Sequence, residues 1–261
     1  MDFGLAKRVI AVTGGGSGIG RACAMMAAEQ GASVMVGDFS RAAAEATVAE
    51  ITQAGGRAFA AFFDVRDDAA VSKAFADGEG ALGPLDALIA SAGVGGAAPA
   101  ESMSMAAWTQ VLDTNLTGLF NCAQAAGRSM LQRGHGSIVA IGSGAGLGGM
   151  AERSHYSASK HGVNGLVKSL AIEWGRRGVR VNCVSPGPVD TPLLRQHWSQ
   201  ERLERIYLDR IPLGRLAHAD DIARAALFLL SDAAAYITGV VLPVNGGLSA
   251  GYSTSYAAID G

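Results

Sequence analysis

Cysteine is scarce in this chain, and its three cysteines lie far apart. Cys23, Cys122 and Cys183 stand in apolar segments, match no metal-binding spacing and leave one thiol over after any pairing. We therefore expect buried thiols in a reducing compartment rather than a disulfide-stapled secreted domain.

The chain also lacks a large excess of charge of one sign, and it has no long hydrophobic run. The formal net charge is −2 without any run of Lys or Arg, so binding to nucleic acid has no electrostatic support. No apolar run approaches the ~20 residues that a membrane helix needs, and the N-terminal segment reaches its glycines too early for a signal peptide. We expect a cytoplasmic protein with no membrane or nucleic-acid partner.

The chain does contain enough apolar sequence for a sizeable core. Hydrophobic residues make up 49% of its 261 residues and charged residues 17%, as in ordinary globular proteins. Short strand-type runs, from RVIAV to GVVLPVN, alternate with helical-period segments at 19–30, 41–54, 69–81, 105–133, 156–176 and 219–230. This alternation predicts right-handed crossovers and a parallel sheet with helices on both faces.

Two local features refine that α/β arrangement. Pro243 lies inside the last strand-type run and predicts an edge strand, because proline removes a donor from the ladder. Residues 186–212 are irregular, and insertions of this kind often act as lids over a site. Since no linker or internal repeat interrupts the chain, we expect residues 1–261 to form one domain.

The first strand-type run ends in VTGGGSGIGRA, which places Gly14, Gly18 and Gly20 where a strand turns into a helix. Small residues there let the backbone approach a pyrophosphate, and the helix N-terminus supplies amides and partial positive charge. A tight strand-to-helix connection is the alternative. The position between the first strand and the first helix favours dinucleotide binding.

Asp38 ends the second strand-type run, 18 residues beyond Gly20. In dinucleotide folds an acidic residue about 20 residues after the glycines accepts hydrogen bonds from the adenosine ribose. The alternative role for Asp38 is a helix N-cap, for which Ser40 is better placed. We predict that Asp38 binds the ribose.

The segment SHYSASKHG sets Tyr156 four residues before Lys160, so the two side chains share one helix face. A nearby cation favours the phenolate, and such a phenol exchanges a proton with an alcohol or carbonyl oxygen. Alone, the pair is an ordinary surface pair. Beside the glycine turn and Asp38 it predicts a proton partner for the hydride of a nicotinamide cofactor.

Six motifs, TGGGSGIG, SAG, NLTGLF, IGSGAG, YSASK and SPGPVDTP, follow one another between Val9 and about Gly247. Together they resemble the classical short-chain dehydrogenases/reductases. The resemblance implies a Rossmann-type, doubly wound parallel sheet of about seven strands with helices on both faces. It also implies a homotetramer.

The resemblance implies four catalytic positions. Tyr156 matches the catalytic acid/base, and Lys160 matches the residue that favours the phenolate and binds the nicotinamide ribose. Ser143 matches the hydroxyl that holds the substrate oxygen. Asn115 matches the asparagine that supports a water-linked proton relay to the lysine.

The resemblance further implies NAD as the cofactor, because Phe39 stands where NADP-preferring enzymes often place a basic residue. The implied cofactor contacts lie in the glycine turn, at strand ends and in the YSASK and SPGPVDTP motifs: Gly14, Ser17, Gly18, Ile19, Asp38, Phe39, Asp64, Val65, Ala92, Gly93, Tyr156, Lys160, Pro186, Gly187, Val189 and Thr191. Two positions depart from the family pattern: Ser91 replaces an asparagine thought to steady the backbone near the cofactor, and Asn245 replaces an aspartate.

We expect the substrate pocket to be lined mainly by small or apolar residues: Val94, Ser143, Gly144, Ala145, Leu147, Met150, Tyr156, Pro188, Leu193, Leu194 and Trp198. These offer no Arg or Lys, which favours an uncharged, largely apolar alcohol or ketone. Arg153 or Arg195 enters instead if the loops rearrange.

The histidines carry no catalytic prediction. His155 and His161 flank the Tyr/Lys face at about 100°, and we expect His155 at the rim of the pocket. The others, His135, His197 and His218, have no partners at metal spacing, so we expect no catalytic metal.

These observations predict an NAD-dependent oxidoreductase that interconverts a secondary alcohol and a ketone. The alternatives are a 3-oxoacyl thioester reductase and a non-catalytic dinucleotide-sensing regulator. The apolar edge at 239–244 agrees with a homotetramer, and we expect the tail at 248–261 to pack against a neighbouring subunit.

Overall fold

The strands of the chain assemble into one parallel sheet in a computed structural model, which describes residues 3–197, 201, 203 and 206–251. The strands in these ranges are β1 (Val9–Thr13), β2 (Ser33–Asp38), β3 (Arg57–Phe62), β4 (Ala87–Ala90), β5 (Gly136–Ile141), β6 (Val179–Pro186) and β7 (Val241–Val244). Their order in the sheet is β3-β2-β1-β4-β5-β6-β7, and all neighbouring pairs are parallel. The predicted sheet of about seven strands is confirmed.

Helices connect these strands and cover both faces of the sheet. Those whose bounds lie within the described ranges are α1 (Gly18–Glu29), α2 (Arg41–Gln53), α3 (Asp68–Leu82), α4 (Met105–Leu112), α5 (Gly118–Arg133), α6 (Ser154–Gly175), α7 (Pro192–His197) and α8 (Ala219–Leu230). Side-chain caps define several of the starts, as at α2, where Ser40 Oγ accepts a hydrogen bond from Ala43 N.

Alternate residues of each inner strand serve two different cores. In β1, Val9 and Ala11 pack into one core with α3, α5 and α6, whereas Ile10 and Val12 pack into the other with α1 and α8. Successive side chains of a strand point to opposite faces, so a strand buried on both faces is apolar at most positions. The doubly wound architecture follows from that pattern.

The prediction of one continuous helix at 105–133 is wrong in one respect, because the helix is interrupted. A π-helical turn, Asp113–Thr117, joins α4 to α5 and carries the buried Asn115. Such wide turns are rare in proteins overall, and those that do occur are often found at functional sites. A helix-period pattern does not reveal them, since the apolar residues on either side keep their spacing.

The C-terminal edge of the sheet is β7, as Pro243 predicts. β7 pairs with β6 through one side only, and Pro243 is exposed. The irregular segment begins at the end of β6 and contains the short helix α7. Trp198 and the tail from 252 lie outside the described residues, so their predicted contacts stay predictions.

The cysteines are buried, as their apolar surroundings predict. Burial raises the pKa of the Cys23 and Cys122 thiols to about 12 and that of Cys183 to about 11. The described ranges contain no cluster of metal-ligating side chains. They also contain no helix long and apolar enough to cross a membrane.

Candidate active site

A cavity of about 790 Å³ opens at the carboxyl ends of the strands. Its wall comes from the turn after β1, the ends of β2 and β3, and the loops after β4, β5 and β6. In open parallel sheets, ligands bind at this position, where the strand order reverses. Every residue predicted above to contact cofactor or substrate lies in this wall, with the exception of Trp198, which is outside the described residues.

The glycine turn forms one end of the cavity and leaves no room for side chains. Gly14 has a φ of +66°, and a Cβ there would lie 2.9 Å from the Cα and N atoms of Ala92. The turn is fixed by hydrogen bonds from Gly15 N to Gly37 O (3.0 Å) and from Gly16 N to Asp38 Oδ2 (2.9 Å). Because no side chain blocks the backbone at the start of α1, a pyrophosphate can approach it closely there.

Gly14→Ala is expected to weaken NADH binding at least tenfold and to lower the free energy of unfolding by ~1–3 kcal/mol. The new methyl group meets the Ala92 backbone and forces a left-handed φ on alanine. Cofactor fluorescence titration and urea unfolding measure the two effects. Gly80→Ala in α3 is the control, because a Cβ at Gly80 would have no atom within 4 Å and the φ there is ordinary; equal effects of both variants would contradict the prediction.

The Asp38 carboxylate lies beside the glycine turn at the end of β2. Its oxygens accept hydrogen bonds from Gly16 N and Ser40 N, both at 2.9 Å. Ser40 caps α2, so the alternative that Asp38 is the N-cap is wrong. Phe39 is 68% exposed and its ring centroid lies 6.3 Å from that of Phe62.

Asp64 and Val65 continue this end of the cavity after β3. Both carboxylate oxygens of Asp64 bind the Arg66 guanidinium, and this side-chain hydrogen bonding holds the pKa of the carboxyl below its usual value. The Val65 carbonyl accepts a hydrogen bond from Asn121 Nδ2 at 2.9 Å. At this end of the cavity, both the Asp64 side chain and the Val65 backbone therefore have hydrogen-bond partners.

The predicted catalytic residues converge on the other end of the cavity. Lys160 is buried in α6, donates from Nζ to the Ile141 carbonyl (2.9 Å), and lies 5.8 Å from the centroid of the Tyr156 ring. Ser143 follows β5, and its Oγ accepts a hydrogen bond from Ala145 N at 3.1 Å. Phenol, ammonium and hydroxyl thus share one stretch of the wall.

Asn115 lies behind the cavity wall and not in it. Its Oδ1 accepts from Val94 N (2.8 Å), and its Nδ2 donates to Val94 O (3.0 Å) and Ser159 Oγ (3.1 Å). The π-helical turn thereby ties the loop after β4 to α6. The amide is held mainly by backbone groups, and its part in a proton relay stays a prediction.

Comparison with known proteins agrees with this geometry. A family model described as enoyl-(acyl carrier protein) reductase matches residues 14–249. D-threitol dehydrogenase from Mycolicibacterium smegmatis is 44% identical over 248 residues, which cover 94% of this chain and 94% of that protein. The chain belongs to the short-chain dehydrogenase/reductase family.

Other members of the family resemble the chain to a similar degree. Cis-4-hydroxycyclohexanecarboxylate dehydrogenase from Sinomonas cyclohexanicum is 40% identical, covering 96% of this chain and all of that protein. A 3-oxoacyl-[acyl-carrier-protein] reductase from Chlamydia trachomatis is 35% identical over 94% of this chain and 98% of its own. These relatives support oxidoreductase activity on alcohol-type substrates.

A solved structure from Beutenbergia cavernae superimposes with a TM-score of 0.89 and 40% identity, over 96% of this chain and all of that one. It is described as an NAD(P)-dependent gluconate 5-dehydrogenase with NADP bound at low occupancy. The short-chain dehydrogenase/reductase family therefore gives this chain a nicotinamide dinucleotide site, without deciding between NAD and NADP.

His155 departs from its predicted place at the rim of the pocket, and that prediction is wrong. The side chain is 1% exposed and its Nε2 lies 2.6 Å from the position of a Cβ on Gly96. The loop after β4 folds back over the start of α6, where Ala98 N donates to Glu152 O at 2.9 Å. Burial, followed by the charge of Arg153, lowers the pKa of His155, so the ring is neutral at neutral pH.

Arg153 lines the cavity, so the predicted substrate wall without Arg or Lys is wrong at this position. Arg195, the other arginine considered, instead binds Asp190 at 2.7 and 2.9 Å. Arg153 is the residue just before α6, three residues before Tyr156, and its guanidinium carbon lies 6.0 Å from the centroid of the Tyr156 ring. Other wall residues that the sequence reasoning missed are Gln110, Thr114, Tyr207, Leu248 and Ser249.

Asn245 and Ser91, the two departures from the family pattern, are held by different hydrogen bonds. Asn245 closes a turn, since its Oδ1 accepts from Gly247 N (3.2 Å) and its Nδ2 donates to Ser249 Oγ (2.6 Å). The backbone at Ser91 is held by Thr13, whose carbonyl accepts from Ser91 N at 3.2 Å. Asn245 therefore has a structural role in this turn.

Proposed function

We propose that this protein is an NAD-dependent oxidoreductase that interconverts a secondary alcohol and a ketone. The observation that carries the proposal is the buried Lys160 ammonium 5.8 Å from the Tyr156 ring, in the wall of the cavity that also contains the glycine turn and Asp38. Bound NAD(H) would supply the hydride acceptor or donor.

The chain's own residues hold the substrate oxygen and move its proton. Tyr156 exchanges the proton with the substrate oxygen, and Lys160 places a positive charge 5.8 Å from the centroid of its ring. Lys160 is kept in place by its hydrogen bond to the Ile141 carbonyl. Ser143 Oγ already accepts from Ala145 N, so its own O–H is available to donate to the substrate oxygen.

NAD is the proposed cofactor because of the Asp38 carboxylate. Each of its oxygens accepts one backbone N–H and retains capacity for another donor, such as a ribose hydroxyl. A 3-oxoacyl thioester reductase remains the second candidate on similarity, but that reaction usually consumes NADPH, which Asp38 disfavours. A dinucleotide sensor that has lost catalysis is disfavoured because Asn115, Ser143, Tyr156 and Lys160 are all present.

Spectrophotometry at 340 nm tests the proposal. Secondary alcohols and ketones of varied size are assayed with NAD(H) and NADP(H), and we expect turnover that depends on NAD(H). The apolar wall residues Leu147, Met150, Leu193 and Leu194 favour substrates with a hydrocarbon body. Cofactor binding without turnover of any alcohol or ketone would favour the sensor instead.

We also propose a cytoplasmic homotetramer, and light scattering at micromolar concentration should give four times the chain mass. Gly239, two residues before β7, lies against α6: a Cβ on Gly239 would lie 3.4 Å from Ala171 Cβ, and the next residue of α6, Ile172, is 84% exposed. Ile172→Glu should shift the mass downward if this surface is covered. A monomer for the unmodified protein would contradict the proposal.

A further inference from the structure

The cavity holds two basic side chains near the predicted chemistry, and the proposed mechanism uses only Lys160. The second is Arg153, which is 8% exposed and has its guanidinium carbon 6.0 Å from the centroid of the Tyr156 ring. The acidic side chains of the described cavity wall are Asp38, at the end of β2, and Asp64, after β3, and both lie at its opposite end. The end of the cavity that holds Tyr156 is therefore basic.

The backbone holds Arg153 at this position through an unfavourable conformation. Glu152 has a φ of +61°, in the left-handed region that residues with a Cβ seldom adopt. Its carbonyl accepts a hydrogen bond from Ala98 N (2.9 Å), and Arg153 N donates to Met150 O (3.2 Å). Local strain of this kind persists where the surrounding contacts enforce it and is concentrated at functional sites.

An arginine suits one class of ligand better than others. Its planar guanidinium matches the geometry of carboxylate, phosphate and related oxyanions, with two parallel N–H···O bonds. Arg153 directly precedes α6, and its guanidinium carbon lies only 6.0 Å from the centroid of the Tyr156 ring. A molecule of a few bonds can therefore reach both side chains at once.

We propose that the substrate carries an acidic group, a carboxylate or a related oxyanion, which Arg153 binds while Tyr156 meets the alcohol or ketone oxygen. This inference deepens the proposed function and rests on it. It replaces the expectation of an uncharged substrate but keeps the hydrocarbon body between the two polar ends. Arg153 acts in substrate selection and takes no part in proton transfer.

The test compares keto acids with their methyl esters: 4-oxopentanoate, 5-oxohexanoate and 4-oxocyclohexanecarboxylate, each reduced with NADH. We expect the unmodified enzyme to prefer the acids. Arg153→Gln should lower kcat/KM for the acids ~10–100-fold, mainly through KM, because a charge-assisted contact is lost. The esters should change by less than about threefold, and Arg153→Lys should recover part of the acid preference.

Binding of the same acids, measured by calorimetry with NADH present, separates this inference from the proposed function. Binding that depends on Arg153 without turnover would support the inference and overturn the proposed function. Turnover of esters and acids alike, unaffected by Arg153→Gln, would overturn the inference and keep the function. Arg195→Gln is the matched control and should keep the preference for acids. If Arg195→Gln lost that preference while Arg153→Gln kept it, the inference would also be overturned. Failure of both the acids and the esters to bind would overturn it as well.

Discussion

Tyr156→Phe is expected to lower turnover by ~10²–10⁴-fold or more, while NADH binding stays within about twofold. The substitution removes the transferable proton and keeps the aromatic ring. The contacts of that ring with the Lys160 ammonium (5.8 Å) and the Arg153 guanidinium (6.0 Å) remain available. Steady-state rates and quenching of protein fluorescence by NADH measure the two quantities separately.

Two further variants serve as a comparison and a control for Tyr156→Phe. Lys160→Ala should damage both turnover and NADH binding, because it removes the cation beside the phenol and the group predicted to bind the ribose. Tyr236→Phe removes a hydroxyl from a fully exposed tyrosine and should change neither quantity. Near-normal turnover in Tyr156→Phe would refute the proposed proton-transfer role.

The unmodified enzyme is expected to prefer NAD over NADP by at least ~100-fold in kcat/KM on a single substrate. An Asp38 carboxylate that accepts bonds from the ribose hydroxyls gains charge-assisted hydrogen bonds worth ~1.5–3 kcal/mol each. With NADP it loses the 2′ donor and faces a phosphate of like charge. Since each 1.4 kcal/mol is tenfold, the two effects together exceed about 100-fold.

Substitutions of Asp38 affect both the cofactor preference and the backbone of the glycine turn, so more than one variant is needed. Asp38 also holds Gly16 N and Ser40 N, so Asp38→Ala should weaken NAD binding partly by loosening the glycine turn. Asp38→Asn removes the charge and keeps one acceptor oxygen, so it retains one of these two backbone hydrogen bonds where Asp38→Ala loses both. We expect both to reduce the preference, and Phe39→Arg added to either to improve NADP, since Phe39 is exposed at this end of the cavity.

Asp77→Asn is the control, because it removes an exposed carboxylate that pairs with Lys73 on α3 at 2.6 Å. It should leave the cofactor ratio unchanged. Equal use of NAD and NADP by the unmodified enzyme would mean that Asp38 serves only to hold the backbone of the glycine turn.

The parts of the fold governed by local rules were predictable from the sequence. The predicted starts and ends of most helices lie within two residues of the observed bounds, because caps such as Ser40 and the apolar period act over short distances. Burial of β1, β4 and most of β5 on both faces is visible in their nearly continuous apolar runs. The glycine turn and Asp38 meet because parallel strands bring their carboxyl ends together.

The features that the sequence did not reveal depend on contacts between distant segments. Ala98 N bonds to Glu152 O across more than fifty residues, and beside this contact His155 is buried and Arg153 lines the cavity. The left-handed φ of Glu152 has no signature in its residue type, since glycine is the usual choice there. The π-helical turn at Asn115 is likewise set by its partner, Val94.

The buried cysteines have a practical consequence for measuring motion. Thiolates are the reactive species towards maleimides, and at pH 7 the raised pKa values of Cys23, Cys122 and Cys183 leave those thiols almost wholly protonated. A cysteine introduced at an exposed position, such as Leu213→Cys beside the irregular segment, would then be the single labelled site on the native protein. A fluorophore attached there would report whether that segment closes when NADH binds, with no native thiol needing replacement.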